Sequence, residues 1–163
     1  MSDLFQYGDD VRRLDISVEQ WYRLSREGMN ATVTFSLNGE SMRPLIRKKK
    51  DKVTVSPVNR ELKKGDIVLF TRSDGVYVVH RIRKIKESVV TTVGDNCTVS
   101  DKPMPAESVL GLVIRLERNG KAFNLDSSLS RVFGLLLIYT RHVRCFLRRA
   151  VRFVIGAAKK SGD

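Results

Sequence analysis

Ser41, in Gly39-Glu40-Ser41-Met42-Arg43-Pro44, and His80, in Tyr77-Val78-Val79-His80-Arg81-Ile82, are the residues whose types and settings could do chemistry together. A serine hydroxyl is a poor nucleophile near neutral pH until a base takes its proton, and an imidazole is the side chain best poised to take it. Gly39 lets backbone pass close to a substrate carbonyl, and Pro44 limits how the chain leaves the turn. The hydroxyl and the amide of Ser41 could then face one cleft, joining a nucleophile and an oxyanion donor in one residue. Taken singly, a serine after a glycine turn and a histidine on an apolar face are ordinary structural residues. Only their pairing would make a reaction.

Two stretches must position them. Val33-Thr34-Phe35-Ser36-Leu37 alternates as a strand does and ends in a turn opened by Asn38-Gly39, which places Ser41 just past the turn. Leu62-Lys63-Lys64-Gly65-Asp66-Ile67-Val68-Leu69-Phe70 and Val76-Tyr77-Val78-Val79-His80-Arg81-Ile82, joined through Arg72-Ser73-Asp74-Gly75, predict a hairpin with His80 on its return strand. On alternation His80 shares a face with Val78 and Ile82, while Val79 shares the other with Tyr77 and Arg81. Apolar company of that kind favours a neutral imidazole. Residues 16–28 predict a short helix, with Ser17 and Gln20 spaced as a capping box and Gly28 as its stop. Residues 105–126 predict closing β structure, with Val109-Leu110-Gly111-Leu112-Val113-Ile114 ahead of an Asn119-Gly120 turn.

The Gly-x-Ser-Met-x-Pro stretch, Lys-Lys-Gly-Asp-Ile-Val-Leu-Phe at 63–70, Val-Val-His-Arg-Ile at 78–82 and Thr92-Val93-Gly94-Asp95-Asn96-Cys97-Thr98-Val99-Ser100-Asp101 occur in this order. Together they resemble the signal peptidase superfamily, which also contains the self-cleaving SOS repressors. The resemblance covers roughly residues 33–118 and implies a mainly β peptidase fold. Bacterial signal peptidases commonly have a lysine where this chain has His80, whereas the endoplasmic reticulum type has a histidine, so the chain resembles the Ser-His type. The likeness implies Ser41 as acyl nucleophile, the Ser41 amide as oxyanion donor, His80 as general base and Asp101 as the acid that orients the imidazole. Asp95 is the alternative orienting acid, and a carboxylate at either place would hold the tautomer and stabilise the imidazolium. Signal peptidases usually carry a serine two residues before the nucleophile. Here that position is Gly39, as in the SOS repressors.

The 163 residues carry a net charge of +12 and 42% hydrophobic content, enough for one sizeable core with an appendage. Cys97 and Cys145 show no paired spacing, and with His80 and His142 the only histidines, neither a disulfide framework nor a metal or cofactor site is predicted. Cys97 is read as a passive small residue, although as a thiol it is the rival nucleophile. The opening Met1 to Asp10 is polar and acidic and reads as neither signal peptide nor span, which points to the cytoplasmic side over export.

From Leu129 the composition changes: an apolar run, Val132 to Tyr139, precedes arginines, and no Asp or Glu returns before Asp163. At 100° per residue Arg141, Arg144, Arg148, Arg149 and Arg152 share one face, with Tyr139, Val143, Phe146, Leu147, Ala150 and Val154 opposite. Such a helix would lie on anionic lipid, not span it. No nucleic-acid motif accompanies the charge, so specific nucleic-acid binding is not expected.

The expected organisation is an N-terminal helical extension (1–30), a catalytic β domain (31–126) and a basic amphipathic membrane-surface helix (129–160). The expected activity is Ser-His endopeptidase cleavage of signal or leader peptides, as peptides or preproteins, at a membrane. The alternative from another class is a catalytically idle peptide-binding or regulatory protein at the membrane.

Overall fold

A computed structural model describes residues 12–14, 17–140, 143, 144 and 146, with side chains from residue 17 onward. Among the described residues, short runs rich in Val, Ile and Thr, cut by glycine and Asx turns, form nine strands: β1 (Arg12–Leu14), β2 (Ala31–Ser36), β3 (Lys52–Ser56), β4 (Ile67–Thr71), β5 (Tyr77–Lys86), β6 (Val89–Val93), β7 (Met104–Pro105), β8 (Val109–Arg118) and β9 (Lys121–Asn124). They make one sheet in the order β1-β2-β3-β8-β4-β5-β6-β7, with β9 added to β8. Pairing is antiparallel except between β1 and β2. The fold is mainly β, as the sequence predicts.

Strand β8 organises the sheet. It pairs with β4 at Val68↔Leu112 and with β3 at Val53↔Leu116, and the register shifts along both pairings. Such irregularities bend a sheet and increase its twist. Two apolar clusters result: one around Trp21, Val33, Met42, Ile46, Val53 and Val55, the other around Val68, Phe70, Ile82, Val90 and Leu112. Strand β4 serves both, sending Ile67 and Leu69 to the first and Val68 and Phe70 to the second. This is why it is apolar from Ile67 to Phe70 rather than alternating.

Helix α1 (Val18–Arg26) begins at Ser17 with the reciprocal Ser17–Gln20 capping box, and Gly28 follows it at φ +89°. Its anchor is Trp21, fully buried, whose indole N–H donates to Ala31 O at 2.7 Å. Gly111 makes that seat possible. A Cβ there would lie 2.6 Å from each of Trp21, Ser56 O and Val55. Gly111→Ala is therefore expected to cost about 1–3 kcal/mol through overpacking, read as a lowered urea midpoint.

A second helix, α2, covers 128–140, with residues 143, 144 and 146 also helical. It is not a free appendage over this length. Leu137 and Ile138 are buried, and a Cβ at Gly134 would sit 2.2 Å from Arg81 Nη1, so the helix backbone lies directly on that guanidinium. Its first turn is held by ion pairs of Arg131 with Asp66 and Asp126, both of which also bind Arg60. Arg144, expected on a lipid-facing cationic face, turns inward and donates to Asp95 O at 2.9 Å. The expected N-terminal extension before residue 12, His142, Cys145, and Arg141, Leu147, Arg148, Arg149, Ala150, Arg152 and Val154 of the expected helical faces lie outside the described residues.

Candidate active site

Ser41 follows β2 at the start of a run of turns that the core holds down. Met42 and Ile46, on either side of the Arg43–Pro44 peptide, are each 1% exposed and pack into the first cluster. The far end of the run is fastened by buried Asp51, which accepts from the Arg47 backbone N–H at 2.8 Å and from the guanidinium groups of Arg47 and Arg118. Burial alone would raise the Asp51 carboxyl, but hydrogen bonds from Arg118 and Arg47 outweigh it and hold the carboxyl well below the usual range. Ser41 thus sits on an anchored turn. Gly39 stands beside it, and the nearest atom to a Cβ there would be Ser41 Oγ at 3.8 Å, so the glycine leaves the approach to the hydroxyl open.

His80 lies on β5 opposite Val68, its ring tilted against Phe70 with centroids 6.2 Å apart. Its Nδ1 is 2.7 Å from Asp101 Oδ2, and Thr92 donates its hydroxyl to the same oxygen at 2.6 Å. The Asp101 backbone N–H donates to Thr92 O at 2.9 Å, so β6 carries the acid into place. In the tautomer whose Nδ1–H donates to this carboxylate, Nε2 presents its lone pair.

Burial pushes the Asp101 carboxyl up, but hydrogen bonds from His80 and Thr92 outweigh it and hold the carboxyl below the ordinary range. A carboxyl lowered in the folded state adds stability that is full above its unfolded value, about 3.9, and is lost as pH falls through the folded value. The stability gap between wild type and Asp101→Asn is therefore expected to narrow as urea melts are carried from pH 6 to about pH 2. A gap that widens on acidification would contradict the pairing.

Gly94 brings the two halves together. A Cβ at that position would meet Ser41 O at 2.7 Å, Cys97 Sγ at 2.9 Å and His80 Nε2 at 3.0 Å. Only a glycine lets the Ser41 turn and the imidazole Nε2 approach the same point. The next residues tie the turn down: Asn96 N donates to Ser41 O at 2.7 Å and Asn96 Nδ2 to Glu40 O at 3.1 Å. Among the described residues neither the Ser41 hydroxyl nor its backbone N–H has a hydrogen-bond partner. A direct Ser41–His80 hydrogen bond is not formed. Such bonds are commonly long without substrate and tighten in its presence.

Asp95, the alternative orienting acid, is elsewhere. Its carboxylate takes both Arg81 Nε and Nη2 at 2.8 Å in a fully buried pair, and Arg81 Nη1 reaches Gly65 O, also at 2.8 Å. Arg81 neighbours His80 in sequence but points to the opposite side of β5, as alternation requires. Asp101 stands at the imidazole and Asp95 does not.

A family model described as Peptidase S24-like matches residues 10–114. The chain belongs to the Peptidase S24-like family. That family lies in the superfamily shared by signal peptidases and SOS repressors, and membership makes this a serine peptidase-like hydrolase in fold and class. Comparison with curated proteins gives no match. The Peptidase S24-like match stops at 114, yet β8 continues to Arg118 and α2 closes over Arg81. In this Peptidase S24-like chain, pattern reasoning does not predict roles for Thr92, Gly94, Arg81 and Asn96. The signal that could have marked them is Gly94 itself, since a glycine directly after a β-branched strand suggests close backbone approach.

Proposed function

We propose that the chain is a serine endopeptidase that cuts extended signal or leader peptides by a Ser41–His80–Asp101 mechanism at a membrane surface. The observation that carries this is Asp101 on His80 Nδ1 while Nε2 meets the Ser41 turn across Gly94. His80 takes the Ser41 proton as Oγ attacks the peptide carbonyl, and the Ser41 N–H receives the oxyanion. His80 then protonates the leaving amine. Water, activated by the same imidazole, releases the acyl group and restores the serine. The family likeness favours small residues near the scissile bond.

The test is mass spectrometry of a peptide library carrying Ala-rich sites, incubated with the chain and with Ser41→Ala. Cleavage at discrete sites by the wild type alone supports the proposal. Peptides bound but left intact by both proteins would support the idle peptide-binding alternative.

Membrane attachment rests on the outer side of α2. Leu129, Val132, Leu136, Tyr139, Val143 and Phe146 recur at alternating three- and four-residue steps, with exposures from 56% at Leu136 to 83% at Leu129. This seam lies opposite Gly134, Leu137 and Ile138, and Lys64 at its edge donates to Tyr139 Oη at 2.7 Å. Pairing with a second copy of the helix would bring a segment without a single acid against itself, from Ser127 to Gly162. Anionic lipid meets both the apolar seam and the charge. Among the described residues no helix is long and apolar enough to cross a membrane. Sedimentation with anionic vesicles at low salt, weakening in 0.5 M salt or on neutral vesicles, is the expected result. Failure to sediment at low salt would remove the membrane from the proposal.

A further inference from the structure

The inner side of α2 reaches the loop that sets the nucleophile. Gly134 rests on Arg81, Arg81 clamps Asp95, and Arg144 Nη2 donates to both Asp95 O and Leu137 O. Asp95 lies between Gly94, where a Cβ would clash with Ser41 O and His80 Nε2, and Asn96, whose N–H holds Ser41 O. Between the helix and the nucleophile there are thus only one side chain and one three-residue loop.

The energetics of Arg144 are unusual. Among the described residues its Nε and Nη1 are buried without a hydrogen-bond partner, and its polar contacts are to carbonyls and not to a carboxylate. A buried cation left in this state weakens a fold rather than strengthening it. A residue retained for stability alone would be better replaced by an apolar side chain of similar length.

We propose that Arg144 and Gly134 are positioning residues of the active site: through them α2 completes the peptidase unit by fixing the Gly94–Asn96 loop against Ser41. The proposal rests on the peptidase function assigned to Ser41 and His80. Gly134→Ala would drive a methyl into a guanidinium that Asp95 and Gly65 already hold, so the helix must lift and Arg144 must leave the Asp95 carbonyl. Arg144→Met removes the contact alone and leaves the Arg81–Asp95 pair intact.

The experiment uses the full chain and three readouts: kcat and KM on a cleaved peptide, amide exchange at Asn96 N–H, and thermal stability. Both variants are expected to lose roughly 10- to 100-fold in kcat with KM little changed, because a small displacement of the nucleophile costs rate and not binding. Asn96 exchange should quicken in both. Arg144→Met should melt at or above the wild-type temperature, an opposition of rate and stability that a merely structural residue would not produce. Unchanged kcat and unchanged Asn96 exchange in Arg144→Met would overturn the proposal, as would a loss of activity that only tracks unfolding. If the wild-type chain cleaves no peptide, the functional assignment fails by itself, and the Asn96 exchange rates still decide whether α2 orders the loop.

Discussion

Ser41→Ala is expected to lower kcat by on the order of a millionfold, with His80→Ala close behind and the double variant scarcely worse than either. In the proposed mechanism the two side chains act in one step: without the hydroxyl there is no nucleophile, and without the imidazole nothing takes its proton at neutral pH. Neither change should unfold the protein. Ser41 is only part-buried, and the turn it opens is anchored by Met42, Ile46 and Asp51. Its own hydroxyl contributes no hydrogen bond among the described residues. The measurement is single-turnover cleavage of the best library peptide beside a urea melt of each variant. Residual cleavage by Ser41→Ala within a factor of ten of wild type would move the nucleophile elsewhere. Cys97 would then come first, since its sulfur lies at the same Gly94 crossing point as His80 Nε2.

The second large effect separates the two acids by kind. Asp101→Asn should reduce kcat by on the order of 10^4-fold while KM moves little, because an amide facing Nδ1 favours the wrong tautomer and no longer supports the imidazolium. The fold should survive, since Asp101 is part-exposed and the Thr92 hydroxyl can rotate to accept from an amide placed where Oδ2 stands. Asp95→Asn should do the opposite. It strips a fully buried guanidinium of its charge partner, a loss of about 3–5 kcal/mol in stability. Any fall in rate should then follow from a displaced loop. A steep kcat loss in Asp95→Asn at unchanged stability, with Asp101→Asn active, would reverse the two roles.

The difference between these acids shows where sequence reasoning stops. Gly94-Asp95-Asn96 and Asp101 fall within one short stretch, and both acids suit an orienting role by residue type. Their fates depend on the end of β6, which carries Thr92 and Asp101 to the His80 side while Asp95 turns toward Arg81 on the other. No periodicity rule reaches that far, because the chain leaves the sheet after Val93 and alternation ceases to apply.

Several elements built from local rules were legible. The Ser17–Gln20 box starts α1, the Asp74-Gly75 turn joins β4 to β5, and the Asn119-Gly120 turn, both residues at positive φ, joins β8 to β9. The amphipathic character of the C-terminal segment was legible too, since an apolar seam follows from spacing alone. Its orientation was not. Rotation about the helix axis is set by what the helix packs against, and here a glycine small enough to sit on Arg81 selects the inner face and turns Arg144 inward.

By itself the sequence determined the mainly β class and the superfamily, and it singled out a turn serine and a strand histidine as candidates. These rest on neighbours in the chain: hydrogen-bond period, turn chemistry and short motifs act over a few residues. Tertiary structure alone decided that Asp101 and not Asp95 meets His80, that the Ser41 carbonyl and His80 Nε2 both crowd Gly94, and that α2 closes against the Gly94–Asn96 loop. Each of these joins residues far apart in sequence, and such contacts are settled by steric fit and by the need to pair buried charge.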